Sequence, residues 1–420
     1  MIAEIMATGE EIRSGAVIDS NSAYIAARLE ENGVAVARHT CVGDDLGLLT
    51  AAFNEIGNRA DIAVVTGGLG PTSDDLTAEA AARAGGVELA LNSSALQSVE
   101  NFFKARRREI NPASRKQAFL PAGAECFQNP IGTAPGFHLQ IGQCLFYFLP
   151  GVPAEMRRML SDSVLPQLIE RMGKQRRFYR TRTLSIFGLT ESQTAEQLDG
   201  LEKAFPQISL GLQIRFPAIQ VKLYARGSDD RQLNDDLEEA VCWVVKKMGD
   251  KVFSQQGDPM EEIVGHLLRT KQATLALAES CTGGLIADML TNVPGSSDYF
   301  LFSGTTYSNQ AKIDILKVSE VTISTHGAVH EKTAVEMARG ARSVSEATYG
   351  LATSGIAGPT GGTAEKPVGT VCIGLATPDR TAGHRFHFWS GSRKMNKQIF
   401  AMAALDVLRR ELLGLDPLQF

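Results

Sequence analysis

Residues 61–85, DIAVVTGGLGPTSDDLTAEAAARAG, change character twice. An apolar run ends at Thr66, then Gly67, Gly68, Gly70 and Pro71 follow closely, and Asp74 and Asp75 precede an alanine-rich stretch. This reads as strand, glycine loop and helix. The same alternation recurs on the N-terminal side, where the apolar runs IAEIMAT (2–8) and VAVARHTCV (34–42) alternate with helix-like stretches 22–32 and 46–58. Strands alternating with helices predict a mostly parallel α/β sheet. Further on, FHLQIGQCLFYFLP (137–150) reads as two strands closing the same domain.

The glycine loop suggests a chemistry. Glycines let backbone N–H groups approach a phosphate, and a helix N-terminus adds favourable partial charge. Two carboxylates in that turn would repel the phosphate unless Asp74 or Asp75 holds a divalent cation that bridges to phosphate oxygens. The alternative is that the two acids only cap the helix. Glu10, Glu11, Asp19 and Asn21 lie at the end of the first strand and in the loop after it. NPIGTAPGF contributes Gly132 and Thr133, and LPGVPAEM contributes Gly151 and Glu155. In a parallel sheet such strand ends converge on a ligand crevice.

At 420 residues the chain is long enough for two or three domains, and 44% apolar residues suffice for buried cores. A net charge of -5 gives no global field for nucleic acid or anionic membrane. The six cysteines form no C-x-x-C pair, which argues against a zinc ribbon and fits reduced thiols in a cytoplasmic protein. The N-terminus is acidic where a secretory signal would be basic, and no apolar run approaches the roughly 20 residues of a membrane span.

Near residue 172 the texture changes to a basic stretch with Lys174, Arg176, Arg177, Arg180 and Arg182, read as a solvated linker. Residues 176–250 then follow a β, α, β, β, α order, enough for a small KH-like α+β plait. No G-x-x-G clamp occurs in it, so RNA is not the expected ligand. Gly257 and Pro259 mark a second boundary, and residues 257–420 form a third α/β unit.

That last unit contains LALAESCTGG (275–284), where a buried strand breaks into Ser280, Cys281 and Thr282 before Gly283 and Gly284. A serine at a strand end ahead of a helix combines a nucleophile with nearby N–H groups for an oxyanion. No G-x-S-x-G elbow surrounds it, because Glu279 and Cys281 flank the serine. GTTYSNQAKIDIL ends a strand at Tyr307 and puts Lys312 in the first turn of a helix, where the dipole lowers its pKa and makes it a candidate base. Ser-Lys pairs are an established variant of the Ser-His-Asp arrangement. Cys281 is the rival nucleophile, although small buried cysteines are common. His330 reads as a helix-start surface residue. The loop 352–370 supplies Ser354, Gly355, Gly358, Thr360, Gly361 and Gly362, and Arg393 stands at another helix start, a set suited to a phosphate.

Through DSN, VGDD, TGGLGPTSDDLT, GTAPGF and LPGVPAEM, residues 1–170 resemble the molybdopterin-binding-like domain of CinA (competence/damage-inducible) proteins. Through AESCTGGLIA, VPGSS, TYSNQAK, SGIAGP and KPVGTV, residues 257–420 resemble their C-terminal, PncC-type nicotinamide-nucleotide amidase domain. The second resemblance implies that Ser280 is a nucleophile assisted by Tyr307 and Lys312, converting nicotinamide mononucleotide to nicotinate mononucleotide and ammonia. Glu279, Thr282, Gly283, Gly284, Ser354, Gly355, Gly358 and Arg393 would lie around the substrate, and no cofactor is expected there. The first resemblance implies ADP-ribose pyrophosphatase activity, with a divalent metal on Glu10, Asp19, Asp74 and Asp75 and phosphate on Gly67, Gly68, Gly70, Gly132, Thr133 and Gly151. A homodimer acting on small nucleotides is expected, without membrane or nucleic-acid partners. The alternative is a nonenzymatic pterin- or nucleotide-binding protein, or a nucleic-acid-associated competence/damage-response protein that uses the basic stretch near residue 176. Two departures stand out: the family often has threonine at Ser354, and a second arginine after GDR where this chain reads GSRKMNKQ.

Overall fold

The computed structural model describes residues 1–173, 178–388 and 392–416. The expected linker residues Lys174, Arg176 and Arg177 lie outside them. Two compact units form, Met1–Arg180 with Arg226–Asn234, and Thr181–Ala225 with Asp235–Phe420.

The first unit is built on a six-stranded sheet in the order Ala35–Val42, Ile2–Thr8, Ile62–Thr66, Cys144–Leu149, Gly136–Ile141, Glu125–Phe127. The first four strands run parallel; Gly136–Ile141 pairs antiparallel with both of its neighbours, and with Cys144–Leu149 it forms the two strands read from residues 137–150. Alternate residues bury opposite faces. Met6, Ala63, Val65, Phe146 and Phe148 pack with Leu49 and Phe53 of helix Leu46–Gly57, and Phe53 meets Phe146 and Phe148 edge-on at 5.6 and 5.4 Å. Ile5, Ile62, Val64 and Leu149 pack on the other side with Ile25 and Leu29 of helix Ser20–Glu31. Both faces are therefore covered, and the carboxyl ends of strands Ile2–Thr8 and Ile62–Thr66 are left to frame a crevice. A short ribbon, Leu89–Leu91 with Phe119–Pro121, has no counterpart in the sequence reading.

In the second unit the plait's sheet has the order Ile208–Arg215, Ala218–Gly227, Phe178–Ile186, Val252–Ser254. The C-terminal sheet has the order Phe300–Thr305, Leu275–Glu279, Tyr349–Gly355, Thr370–Ala376, Thr381–His387, with the first three parallel. Ala276, Ala278 and Ala352 face Met337, Ala338 and Ala341 of helix Glu331–Ser345. Leu275, Leu277 and Leu351 face helices Met260–Thr270 and Arg393–Leu413. Among the described residues no helix is long and apolar enough to cross a membrane.

The punctuation at Gly257 suggests few contacts across that point, and the packing differs. Phe187, Ala218 and Phe253 of the plait belong to one apolar cluster with Met260, Leu268 and Leu408. Arg410, 1% exposed, reaches Asp250, while Arg409 donates to the Asp250 carbonyl at 2.8 Å. A buried guanidinium requires such partners. Residues 181–420 should accordingly unfold cooperatively on heating, whereas residues 258–420, deprived of Phe253 and Asp250, should melt at lower temperature and expose apolar surface to a dye. Equal melting temperatures would show that the shared cluster adds nothing.

Candidate functional site

Strand Leu275–Glu279 is an interior strand of its sheet and fully buried, and Ser280 lies directly beyond its end. Helix Asn309–Leu316 starts from Ser308, whose side chain accepts from the Ala311 N–H, and Lys312 points inward with 1% exposure. Lys312 Nζ lies 3.0 Å from Ser280 Oγ, 2.7 Å from the Thr306 carbonyl oxygen and 2.9 Å from the Tyr307 carbonyl oxygen. No carboxylate is among these partners. Burial lowers the lysine pKa to about 8, so desolvation leads the shift where the sequence suggested the helix dipole. Cys281 points into the core, where burial raises its thiol to about 12 and keeps it protonated at neutral pH.

Several expected site residues have other parts. The Glu279 carboxylate is fully buried and accepts the N–H groups of Gly284 (3.0 Å), Ile286 (3.1 Å) and Ala287 (2.9 Å), so it secures the turn rather than facing a ligand. Helix Leu285–Thr291 begins later than the sequence suggests, because Gly283 and Gly284 have φ 62° and 91°, left-handed values that favour glycine. Thr282 is buried with its hydroxyl 2.8 Å from that of Thr353. Ser354 is buried and donates to the Ala328 carbonyl at 2.7 Å, and Gly355 lies against Cys281. The Tyr307 ring is 62% exposed; its hydroxyl accepts from Arg393 Nη2 at 3.1 Å, and only its carbonyl meets Lys312. Arg393 also donates to the Gly358 carbonyl at 2.7 Å. His330 accepts the Lys332 N–H at a helix start, as expected.

Lys397 was missed by the sequence reading. One turn beyond Arg393, its Nζ lies 3.4 Å from where a Cβ on Gly283 would sit. The i, i+4 spacing of Arg393 and Lys397 was the available signal. It places a second cation beside the serine turn.

In the first unit a cavity of about 470 Å³ opens at the strand ends. The loop turns through Gly67 and Gly68, with φ 111° and 64°, and a Cβ on either would strike Thr8 or Thr77. Helix Thr77–Ala84 starts after Asp74 and Asp75, and neither caps it. Asp75 instead accepts the Thr72 N–H (2.8 Å) and hydroxyl (2.6 Å) and stands beside Gly70. A hydrogen bond from Thr72 lowers the Asp74 pKa. Asp19 lines the cavity while one of its oxygens caps helix Ser20–Glu31. Glu10 does not line it, because Arg13 holds that carboxylate in a surface ion pair. Gly132 lies against Glu155, and Thr133, Gly151 and Glu155 face the cavity. Asp44, given no role above, also lines it; burial raises its pKa, with Glu11, Asp74 and Asp75 adding repulsion.

Six carboxylates therefore line this cavity, those of Glu11, Asp19, Asp44, Asp74, Asp75 and Glu155, and no Lys, Arg or His does. Among the described residues no three potential ligands converge tightly enough to hold a metal alone. A magnesium-like ion needs only one or two carboxylates when phosphate oxygens and water complete its shell.

Three family descriptions match in succession: a probable molybdopterin binding domain over residues 4–170, a damage-inducible protein CinA KH domain over 181–254, and a CinA C-terminal domain over 257–412. A CinA-like protein of Desulfosudis oleivorans is 54% identical over 98% of this chain and 100% of its own length. The chain belongs to the CinA family. The CinA-like protein of Geobacter metallireducens is 45% identical over 98% of this chain and 99% of its own length. Among solved structures, protein CinA of Thermoplasma acidophilum is 34% identical, with TM-score 0.37 over 40% of this chain and 97% of that one. The domain order of this CinA family member is thus a molybdopterin-binding-like domain, a KH-like domain and a CinA C-terminal domain.

Replacing Glu279 with Ala should leave three N–H groups of the serine turn without their acceptor and lower stability by roughly 3 kcal/mol. Urea unfolding checks it, and a change under about 0.5 kcal/mol would mean the turn holds itself.

Proposed function

We propose that the C-terminal domain is a serine amidohydrolase acting on nicotinamide mononucleotide, and that the N-terminal domain is a metal-dependent pyrophosphatase acting on ADP-ribose. The observation that carries the first reading is Lys312 Nζ at 3.0 Å from Ser280 Oγ with no carboxylate to hold it charged. A neutral amine there gives its two N–H bonds to the Thr306 and Tyr307 carbonyls and turns its lone pair to the Ser280 hydroxyl.

Lys312 takes the serine proton as Oγ attacks the amide carbon. It then gives that proton to the departing nitrogen, and the C–N bond breaks to release ammonia. Water, deprotonated by the same amine, hydrolyses the acyl ester and regenerates Ser280. Backbone N–H groups of the turn beside Ser280 are suited to the oxyanion, and Arg393 with Lys397 to the substrate phosphate. The choice of nicotinamide mononucleotide rests on the family resemblance.

For the N-terminal domain, the acid-lined cavity beside the Gly67–Gly68 turn supports cation dependence, since pyrophosphate would otherwise meet carboxylates without any side-chain cation. Asp44 and Asp74, two of the lining carboxylates, would hold the ion together with phosphate oxygens and water, and the ion would neutralise the phosphate charge.

Ser280→Ala and Lys312→Met should each reduce ammonia release from nicotinamide mononucleotide by roughly three orders of magnitude, with Cys281→Ala retaining most of it. Loss in Cys281→Ala and retention in Ser280→Ala would move the nucleophile to the thiol. Because neutral Lys312 is the working form, turnover should rise with pH and level off above about 8. A rate flat between pH 6 and 9 would remove Lys312 as the base. A chelator should abolish ADP-ribose cleavage and spare ammonia release; cleavage surviving in chelator with Asp44→Asn and Asp74→Asn together would remove the metal reading.

A further inference from the structure

Two histidines of the C-terminal domain are stacked where helix Glu331–Ser345 begins. His326 ends helix Glu320–His326, His330 caps the next helix, and their ring centroids lie 4.4 Å apart at 26°. Lys332 joins them. Its backbone N–H donates to His330 Nδ1 at 3.1 Å, and its Nζ lies 3.3 Å from His326 Nε2. An ammonium only donates, and only an unprotonated ring nitrogen accepts, so both contacts require neutral imidazoles. The backbone between the rings is fastened as well. The carbonyls of His326, Gly327 and Ala328 accept in turn from Lys366 Nζ (2.8 Å), Thr333 Oγ1 (2.8 Å) and Ser354 Oγ (2.7 Å). Segment 326–330 is thereby tied to loop 356–369, to the helix it starts and to the end of strand Tyr349–Gly355.

The charges around the pair oppose a proton. Lys332 comes from the capped helix, Lys366 from the loop and Arg385 from strand Thr381–His387. The acid at hand is Glu331, 3.6 Å from His330 Nδ1, but Arg385 Nη2 donates to that same carboxylate oxygen at 2.7 Å. The Cys372 thiol beside Arg385 is raised to about 11 by burial and adds no charge at neutral pH. Burial lowers the His330 pKa, Glu331 raises it, and His326, Arg385 and Lys366 lower it further. A lowered histidine pKa means that the fold favours the neutral ring. That contribution is present above the ordinary value of about 6.5 and is lost as pH falls below it.

We propose that His326 and His330 form a proton-sensitive latch on the amidase site, with His330 the positioning residue that keeps loop 356–369 in place. Protonation turns His330 Nδ1 from acceptor to donor, frees the Lys332 N–H and sets a cation against the stacked ring. Segment 326–330 loosens, and Lys366 loses its anchor on the His326 carbonyl. The loop held by Lys366 also carries Gly358, whose carbonyl receives Arg393 Nη1 at 2.7 Å. Arg393 then loses a contact that aims it, and the grip on the substrate phosphate weakens without a change at Ser280 or Lys312. This last consequence rests on the proposed amidase function; the latch itself does not.

The test is hydrogen–deuterium exchange of the full chain, read by mass spectrometry at about pH 5 and pH 7.5 and corrected for the intrinsic rate. Peptides over 326–334 and 356–369 should lose roughly fivefold or more protection at the lower pH, with strand Leu275–Glu279 as the unchanged reference. His330→Ser keeps a capping oxygen but takes no proton, so its protection should be equal at both values; His330→Asn serves the same purpose if the serine variant does not fold. Unchanged protection in the wild type overturns the proposal, and so does an equal acid loss in a folded capping variant. In ammonia release, the wild-type KM for nicotinamide mononucleotide should rise relative to that of His330→Ser below about pH 6.5, while kcat falls alike in both because Lys312 sets it. Matching KM profiles would overturn the link from the latch to the substrate. Absence of ammonia release at any pH would remove the amidase reading, and the exchange result would still decide the latch.

Discussion

A single buried carboxylate organises the C-terminal site. Glu279 ends the interior strand Leu275–Glu279 with no exposure, and its two oxygens accept three N–H groups from the turn and helix that follow. A carboxyl group in the interior is tolerated because those donors satisfy its oxygens. Holding them fixes the path of residues 280–284, and with it the direction of Ser280 toward Lys312. The lysine completes the arrangement in the opposite sense, as a buried cationic group with only neutral partners that favours losing its proton.

The two α/β domains put their candidate sites in the same place, beyond the carboxyl ends of parallel strands, and reverse the electrostatics. Lys397 stands beside the serine turn and Arg393 lies one helical turn before that lysine, so the proposed anionic substrate would be met directly by charged side chains. The N-terminal cavity presents six carboxylates and no basic side chain, so the same kind of ligand would need a cation between it and the protein. Its glycine loop is preserved by contact, since Thr8 and Thr77 occupy the space a larger residue would need. Under the proposed functions, one fold principle would support two solutions to binding phosphate.

The middle plait is less autonomous than its length suggests. Phe187 and Phe253 pack into the same apolar cluster as the C-terminal helices, and Asp250 meets the buried Arg410. Shedding the plait would strip Arg410 of Asp250 and leave only the longer 4.0 Å pairing with Asp406 on its own helix. The plait therefore supports the C-terminal domain's packing.

Much of this was legible in local sequence. Apolar runs with strand and helix periods gave the alternating elements, glycine clusters gave the loops, and Ser280 and Lys312 stood at strand and helix ends where chemistry is accessible. Those features depend on neighbours within a few residues. Side-chain direction depends on partners far along the chain, and there the sequence ran out. Glu279, Thr282 and Ser354 look like ligand groups in a motif yet turn inward to backbone N–H groups, Thr353 and Ala328. Glu10 looks like a metal ligand yet is neutralised by Arg13. Conversely, Lys397 and Asp44 enter their sites only because helices and loops distant in sequence are packed against the strand ends. The sequence determined which elements form and which residues end them; only tertiary packing decided which polar groups the backbone consumes and which remain for a ligand, because that depends on the donors and acceptors folding brings within about 3 Å.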